Sequence, residues 1–196
     1  MNVKAYLKIK VINEKGKCIY YRRYRSRSFV INFLNNIFAN LSGQGINIIN
    51  TSGSSYTAQN IDSMIVADSS NDDRYGIQIG TGTTAPSITD TRLSQLITNG
   101  TGPGQMQYGG VNVTGAVTNT TNNTGYITVT RTFTNNSGAS ITVSEVGLVA
   151  FTGDYFISGA VQSNQFYLII HDLLPTPITV PNGSSLSISY EIQVAT

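Results

Sequence analysis

Residues 186–194 read LSISYEIQV, and this stretch decides the fold class. Its apolar residues alternate with polar ones, which is the period-two pattern of a strand with one buried and one solvated face. Strands are predicted on the same grounds, or from shorter apolar runs, at residues 3–12, 18–25, 61–67, 75–80, 106–118, 126–134, 140–151, 154–161 and 165–174. The sequence therefore predicts a mainly β protein.

Turn-forming clusters rich in Gly, Asn and Pro separate the later strands, as at residues 119–125, 135–138 and 181–185. Strands of this number and spacing predict an antiparallel β-sandwich of jelly-roll type, which begins with an N-terminal β-hairpin and contains one α-helix. In residues 140–149 the apolar phase slips, because Ile141 and Val143 share one parity and Val146 and Leu148 the other. A β-bulge near Glu145 would restore the register.

The composition favours a folded chain with little surface charge. Asn, Thr, Ser and Gly make up 81 of the 196 residues, and charged residues only 11%, against roughly 25% in an ordinary soluble domain. The 40% of hydrophobic residues excludes a disordered chain. We find no linker and no internal repeat, so we expect a single β-sandwich domain over residues 28–196, preceded by a basic β-hairpin arm over residues 1–27.

The only long helix is predicted over residues 28–41, with Ser28 as its N-cap, and a short helical turn is predicted after Asp90. Apolar residues recur there at helical spacing, at Phe29, Val30, Phe33, Leu34, Ile37 and Phe38. Such a stripe must be covered by the sheet or by a neighbouring subunit, and we expect the sheet.

Charge is divided along the chain. Residues 1–27 hold nine bases and one acid, whereas residues 28–196 hold three bases and nine acids. We predict that the basic arm docks on an acidic protein surface, which includes the body of another copy, through Arg22, Arg23, Arg25, Arg27, Tyr21 and Tyr24. Two alternatives are a solvated hairpin face, with Arg23, Arg25 and Arg27 on one side, and phosphate binding to nucleic acid, which we do not expect.

Reactive groups are scarce. The single cysteine, Cys18, excludes a disulfide within the chain. His171 is the only histidine, and Asp172 beside it would point to the opposite face of a strand, so we expect a structural histidine at a strand end. The run from Gly80 to Thr84 lacks the lysine of a phosphate-binding loop and is interpreted as a strand exit. We expect no enzyme activity and no cofactor.

A weak calcium candidate is the loop that holds Asp68, Asn71, Asp72 and Asp73. Its spacing does not match an EF-hand, and capping of a turn explains the same residues. We therefore predict no metal site, with these four residues as the only calcium candidates.

The strands after Lys17 contain no lysine, although sheet edges of monomeric proteins are usually guarded by charge or by proline. We therefore expect other copies of the chain, or a lattice of a partner protein, to cover much of the surface, and we expect a symmetric homo-oligomer. The lysines near the start argue against a signal peptide, and no apolar run is long enough for a membrane span, so we expect synthesis in a cytoplasm and no membrane partner.

Several motifs are similar to those of small structural virion proteins of tailed phages, either head decoration proteins or tail-associated ones. These motifs lie at residues 79–86 with Asp90 and Leu93, at residues 131–137, 144–148 and 177–183 leading into Tyr190, and at residues 28–30 with Asn32 and Phe33. Where such proteins are expected to carry an Arg-Asp pair, this chain has His171 and Asp172. The resemblance implies a non-enzymatic component of a virus particle, made in the host cytoplasm and bound to another virion protein, and it leaves head and tail placement open. The alternative function is a glycan-binding or adhesin module.

Overall fold

The alternating stretches form long strands in a computed structural model, which describes residues 2–26, 28–58, 64–67, 71–152, 155–157, 160–162 and 164–195. The protein is mainly β, with antiparallel sheets and one described helix. In chain order the elements are β1 Asn2–Ile12, β2 Cys18–Ser26, α1 Ile31–Ser42, β3 Ile46–Ile49, β4 Ser55–Ala58, β5 Gly76–Gly80, β6 Gln107–Asn119, β7 Thr124–Thr134, β8 Ile141–Thr152, β9 Tyr155–Ile157, β10 Ala160–Gln162, β11 Gln165–Val180 and β12 Ser185–Ala195.

A five-stranded sheet has the strand order β2-β1-β12-β7-β6. The stretch quoted first, now within β12, lies at its centre, between β1 and β7. Leu186, Ile188 and Tyr190 lie on its inner face and are completely buried, as the alternation predicts.

The N-terminal hairpin is part of this sheet, which corrects the expectation of an arm outside the sandwich domain. β1 pairs with β12 from Asn2 to Ile12, and its inward side chains Ala5, Leu7, Ile9 and Val11 belong to the core. The hairpin is therefore not a separate arm, because the apolar side chains on its inner face form part of the hydrophobic core.

A three-stranded sheet, β11-β8-β5, packs over the inner face of the five-stranded sheet. The Tyr190 hydroxyl crosses the core and donates to the carbonyl oxygen of Val146 at 3.4 Å and to Asp172 Oδ2 at 3.1 Å. The outer edges of β11 and β5 are partly covered by the chain itself, through single bridges from Phe29 to Ile170 and from Leu96 to Gly80. The two further sheets are the small hairpins β3-β4 and β9-β10.

The register shift expected near Glu145 is present beside that residue, but the extra residues lie in the neighbouring strand β11 and not in β8. β11 pairs Leu173 with Glu145 and then Ile178 with Val143, so residues 174–177 bulge out of β11 opposite one residue of β8. β8 is buried along nearly its whole length, because strands pair with it on both sides and packed side chains cover it.

Helix α1 begins three residues later than predicted and is oriented differently. Ser28 is not its N-cap: the capping position is Val30, which makes no side-chain cap, and the carbonyl of Ser28 accepts a hydrogen bond from the His171 amide at 3.0 Å. The fully buried residues of the helix are Asn32, Asn36 and Ala39. Leu34 and Phe38, which were expected beneath the sheet, are exposed.

Three local predictions also change. The strand predicted at residues 154–161 is a short hairpin, β9 and β10, within its described part. Of the strand predicted at 61–67, residues 61–63 lie outside the described residues, and Ile65 makes a single bridge to Phe151. A helical turn expected after Asp90 is absent from residues 91–95, which form bends instead.

Candidate functional site

The outer face of β1 and β2 is strongly basic. The register places Arg23 opposite Lys8 and Arg25 opposite Tyr6, so these side chains share the face turned away from the core. The bases on this face are Lys4, Lys8, Lys10, Arg23 and Arg25. The adjacent part of β12 contributes one acid to the same face, Glu191.

Glu191 pairs with two of the five bases. It accepts from Lys8 Nζ at 2.5 Å and from Arg23 at 3.0 Å, while the Arg23 guanidinium stacks 3.7 Å from the centre of the Tyr6 ring. Partial burial of Glu191 favours its neutral form, but the hydrogen bonds from Lys8 and Arg23 outweigh this effect and lower its pKa. Within the described part of the chain, no acid pairs with Lys10 or Arg25.

The six predicted docking residues do not form one surface. Arg23, Arg25 and Tyr21 lie on the outer face, as the alternation indicates, whereas Arg22 and Tyr24 lie on the inner side of the strand. Tyr24 packs against the core, and the exposed Arg22 lies 5.5 Å from the centre of the Tyr20 ring. Arg27 lies outside the described residues. The docking candidate is therefore the outer face alone, which we call the basic face: Lys4, Lys8, Lys10, Tyr21, Arg23 and Arg25.

The two edges of the five-stranded sheet differ in charge. β2 carries three arginines, so this edge is guarded, contrary to the expectation from the scarcity of charge. β6, at the other edge, has 13 residues and no charged side chain, and two register shifts against β7 interrupt it. Of the two edge strands of the five-stranded sheet, only β6 lacks the charged side chains that would prevent another chain from pairing with it.

A second polar cluster, the His171 network, lies inside the protein. His171 stands in the middle of β11, not at a strand end, and is buried between two carboxylates. Its Nδ1 is 2.7 Å from Asp90 Oδ2, and its Nε2 is 2.9 Å from Glu145 Oε2. Glu145 is fully buried and also accepts backbone N–H bonds from Gly82 at 3.0 Å, Ser94 at 3.0 Å and Gln95 at 2.7 Å.

The network holds opposite charges in place. Burial disfavours the charged form of His171, but its hydrogen bonds to Glu145 and Asp90 outweigh burial and raise its pKa. Burial of Glu145 likewise favours its neutral form, and the bonds from His171, Gln95 and Ser94 reverse this and lower its pKa to about 2. In its protonated form His171 donates from both ring nitrogens, to Asp90 and to Glu145.

This geometry suits a structural role. Both ring nitrogens of His171 are occupied, so neither is available to take a proton from a substrate. Asp172 points to the other face of β11 and accepts from Tyr190, so the adjacent pair does not act together, as expected. The network attaches the loop of residues 81–97 to the three-stranded sheet.

Glycines allow that loop to approach Glu145. A Cβ atom placed on Gly80 or on Gly82 would lie 2.4 Å from Glu145 Oε1, which is closer than atoms can pack. The run from Gly80 to Thr84 leaves β5 at its end, as predicted, and its glycines provide space for the carboxylate.

Among the described calcium candidates, Asp72 and Asp73 bind different partners within the chain. Asp72 forms an ion pair with Arg74 at 2.5 Å, and Asp73 Oδ2 accepts the Asn99 amide at 2.7 Å. Asn71 is exposed, and Asp68 lies outside the described residues. Across the described residues, no group of three His, Cys, Asp or Glu side chains is arranged to hold a metal ion.

Arg131 is a fully buried arginine to which the sequence assigned no contact, although it begins the motif at residues 131–137. Its guanidinium donates to the carbonyl oxygens of Gly109 at 2.8 Å, Tyr75 at 2.8 Å and Ile77 at 3.1 Å, and also to that of Asp72. It stacks 4.7 Å from the centre of the Tyr108 ring. Arg131 therefore ties β6 and β7 to β5 and the segment before it, and it is not available to an external ligand.

An open cleft of about 350 Å³ lies beside β5. Its lining includes Asp73, Arg74, Gln78, Arg92 and Phe166. Arg74 lies over the Phe166 ring, 5.0 Å from its centre. The cleft combines an aromatic side chain with donors and acceptors, which is the composition of many small-ligand sites.

Comparisons of the chain with protein-family models, with curated proteins and with solved structures give no match. The fold class therefore rests on the architecture itself: a mainly β protein with antiparallel sheets and one described helix. Within the described ranges, no helix has the length and apolar character needed to span a membrane.

Proposed function

We propose that this chain is a non-enzymatic structural subunit of a virus particle, which assembles with copies of itself and docks on a neighbouring virion protein as a capsid decoration or a tail component. The observation that carries the docking is the basic face, where five bases meet one acid. Electrostatic complementarity of this kind selects an acidic partner and orients it.

The partner on the basic face is a different protein and not the acidic body of another copy. The six described acids after residue 27 already have partners within the chain: Asp72, Asp73, Asp90, Glu145, Asp172 and Glu191. Contacts within the chain therefore already occupy these carboxylates in the described part of a second copy.

A non-enzymatic role is supported by the buried polar side chains, because their polar atoms are already engaged in contacts within the chain. His171, Glu145 and Arg131 all hold backbone groups or one another, and the motifs that resemble phage virion proteins contain two of these three residues. We extend the proposal to a jelly-roll sandwich, because the first and last strands, β1 and β12, pair in one sheet, as Greek-key returns produce.

The test is the composition of purified virus particles from the genome that encodes the chain. Quantitative mass spectrometry is expected to find the chain in a fixed ratio to the major capsid or tail protein. The variant carrying Lys10→Glu and Arg25→Glu should be lost from the particles, whereas Glu14→Gln on the hairpin turn should be retained. A chain that is absent from purified particles, or a gene that lies far from head and tail genes, would overturn the proposal.

A glycan-binding module is the second candidate, and the cleft beside β5 favours it. In this function the polar side chains Gln78 and Arg92 of the cleft bind sugar hydroxyl groups beside the apolar surface of Phe166. Specific binding on a glycan array that free sugar competes away, and that Arg92→Ala abolishes, would support this function. An array without specific signals would eliminate it.

A further inference from the structure

Helix α1 exposes its apolar side. Ile31, Leu34, Phe38 and Leu41 are 38%, 55%, 46% and 83% exposed, although large apolar residues on a packed helix normally face the core. Their spacing of three, four and three residues places them in one stripe along the helix, the same spacing as the seam of two packed helices.

The helix is anchored in this orientation by its polar side. Asn32 donates to the carbonyl oxygen of Ile49 at 3.0 Å, and Asn36 donates to the Tyr167 hydroxyl at 3.0 Å. Both asparagines are buried. A rotation of the helix that hid the stripe would break these bonds and leave buried polar groups without partners. The stripe therefore stays outside within one chain.

An apolar groove of about 300 Å³ runs beside the stripe. It is lined by Val3, Phe29, Val30, Phe33, Leu34, Ile37 and Ile88. The amide of Ile31 donates to the carbonyl of Ile88 at 2.8 Å, which joins the groove to the start of the stripe. Neither α1 nor the groove lining contains a charged residue.

The area of this surface matches that of an interface. Val3 and Ile88, at 53% and 60% exposed, extend the stripe. Together with the four stripe residues they expose roughly 670 Å², if one fully exposed large apolar residue presents about 200 Å². A standard interface buries about 800 Å² per partner, of which roughly 60% is apolar. The surface thus supplies the whole apolar part of a stable dimer interface.

We propose that a second copy of this chain covers the stripe and groove of α1, so that the Leu34–Phe38 ridge of each copy lies in the groove of the other. The inference rests on the self-assembly in the proposed function and assigns a surface to it. The ridge and the groove lie side by side on one chain. A two-fold axis therefore places the ridge of each copy in the groove of the other. A helix without any charge lacks the e and g residues that select a foreign helix, and it lacks the basic flank of a membrane-surface helix.

The experiment compares sedimentation of the wild-type chain with that of the double variant Leu34→Glu with Phe38→Glu. The wild type is expected to sediment as a dimer or larger, and the double variant as a monomer, with self-association weakened at least about 30-fold. Asn40→Glu is the control for added charge, because it places one carboxylate on a different side of α1 and should leave the association unchanged. Circular dichroism establishes that the variants are folded.

Crosslinking keeps the test decisive if the double variant does not fold. In a Cys18→Ser background, Leu34→Cys is expected to give a covalent dimer with a bismaleimide reagent, and Asn40→Cys is not.

Each other outcome overturns the inference. A double variant that keeps the wild-type mass, or equal crosslinking at both positions, places self-assembly on another surface and leaves the proposed function intact. If the wild-type chain sediments as a monomer, no second copy covers the stripe. If this monomer also floats with phosphatidylcholine vesicles, a lipid surface covers the stripe instead. The particle composition then decides the proposed function separately.

Discussion

Replacement of Glu145 by Gln tests the His171 network most directly. The side chain keeps its shape, but the amide that replaces Oε2 is a donor only. It would face the Ser94 amide, which now donates to Oε2 at 3.0 Å, and His171 Nε2, which lies 2.9 Å away. The bonds from Gly82 and Gln95 to Oε1 can remain. The variant therefore loses two hydrogen bonds to a charged acceptor in a buried site.

The expected loss in the free energy of unfolding is about 3–5 kcal/mol. Each hydrogen bond to a charged group contributes roughly 1.5–3 kcal/mol, and disruption of a buried ion pair costs about 3–5 kcal/mol. The same contacts lower the pKa of Glu145 from 4.5 to about 2, which corresponds to about 3 kcal/mol at roughly 1.4 kcal/mol per unit.

Urea unfolding of the wild type, of Glu145→Gln and of the exposed control Glu14→Gln measures the effect, with equal m-values as the condition for comparison. The control is expected to change stability by less than about 0.5 kcal/mol. A Glu145→Gln variant within about 1 kcal/mol of the wild type would refute the reasoning.

The pH dependence of the same measurement has a defined sign. The lowered pKa of Glu145 contributes stability that is present above its unfolded pKa of about 4.5 and is lost as the pH falls towards 2. The raised pKa of His171 contributes stability that is present below its unfolded pKa of about 6.5 and is lost as the pH rises through the folded value. A wild-type stability that rises between pH 6.5 and 9, or an unchanged pH profile in Glu145→Gln, would contradict the network.

Three further outcomes are expected. Arg131→Met should lower the free energy of unfolding by about 3 kcal/mol or more, because the carbonyl oxygens that Arg131 binds lose their buried donor; a change below about 1 kcal/mol in urea unfolding would speak against this. Deletion of residues 2–26 should abolish cooperative thermal unfolding, because β1 supplies core side chains to the five-stranded sheet, and a sharp transition in the truncated chain would restore the idea of a separable arm. Lys10→Glu with Arg25→Glu should change stability by no more than about 0.5 kcal/mol while abolishing retention on an acidic ion-exchange resin at low salt; unchanged retention would show that the basic face does not determine the binding of anionic surfaces.

The sequence alone was sufficient for the class of the fold and for most strands. Period-two alternation located β12, β7 and the hairpin strands closely, since a half-buried strand imposes that period locally. It also placed Arg23 and Arg25 on one face and separated His171 from Asp172, because both results follow from strand geometry within a few residues.

Only the tertiary structure shows which groups the faces of the helix and of the strands contact. Periodicity shows that the apolar residues of α1 share a side, but not that buried Asn32 and Asn36 hold that side outward. His171 finds Asp90 and Glu145 at separations of 81 and 26 residues, and the hairpin enters the sheet through a pairing of β1 with the far end of the chain. Such pairings form between residues distant in sequence, so the local sequence pattern does not predict them. The sequence by itself determined a mainly β chain with one helix and a basic N-terminal hairpin, whereas only the packing of distant segments decided which polar groups are buried and which apolar surface remains uncovered.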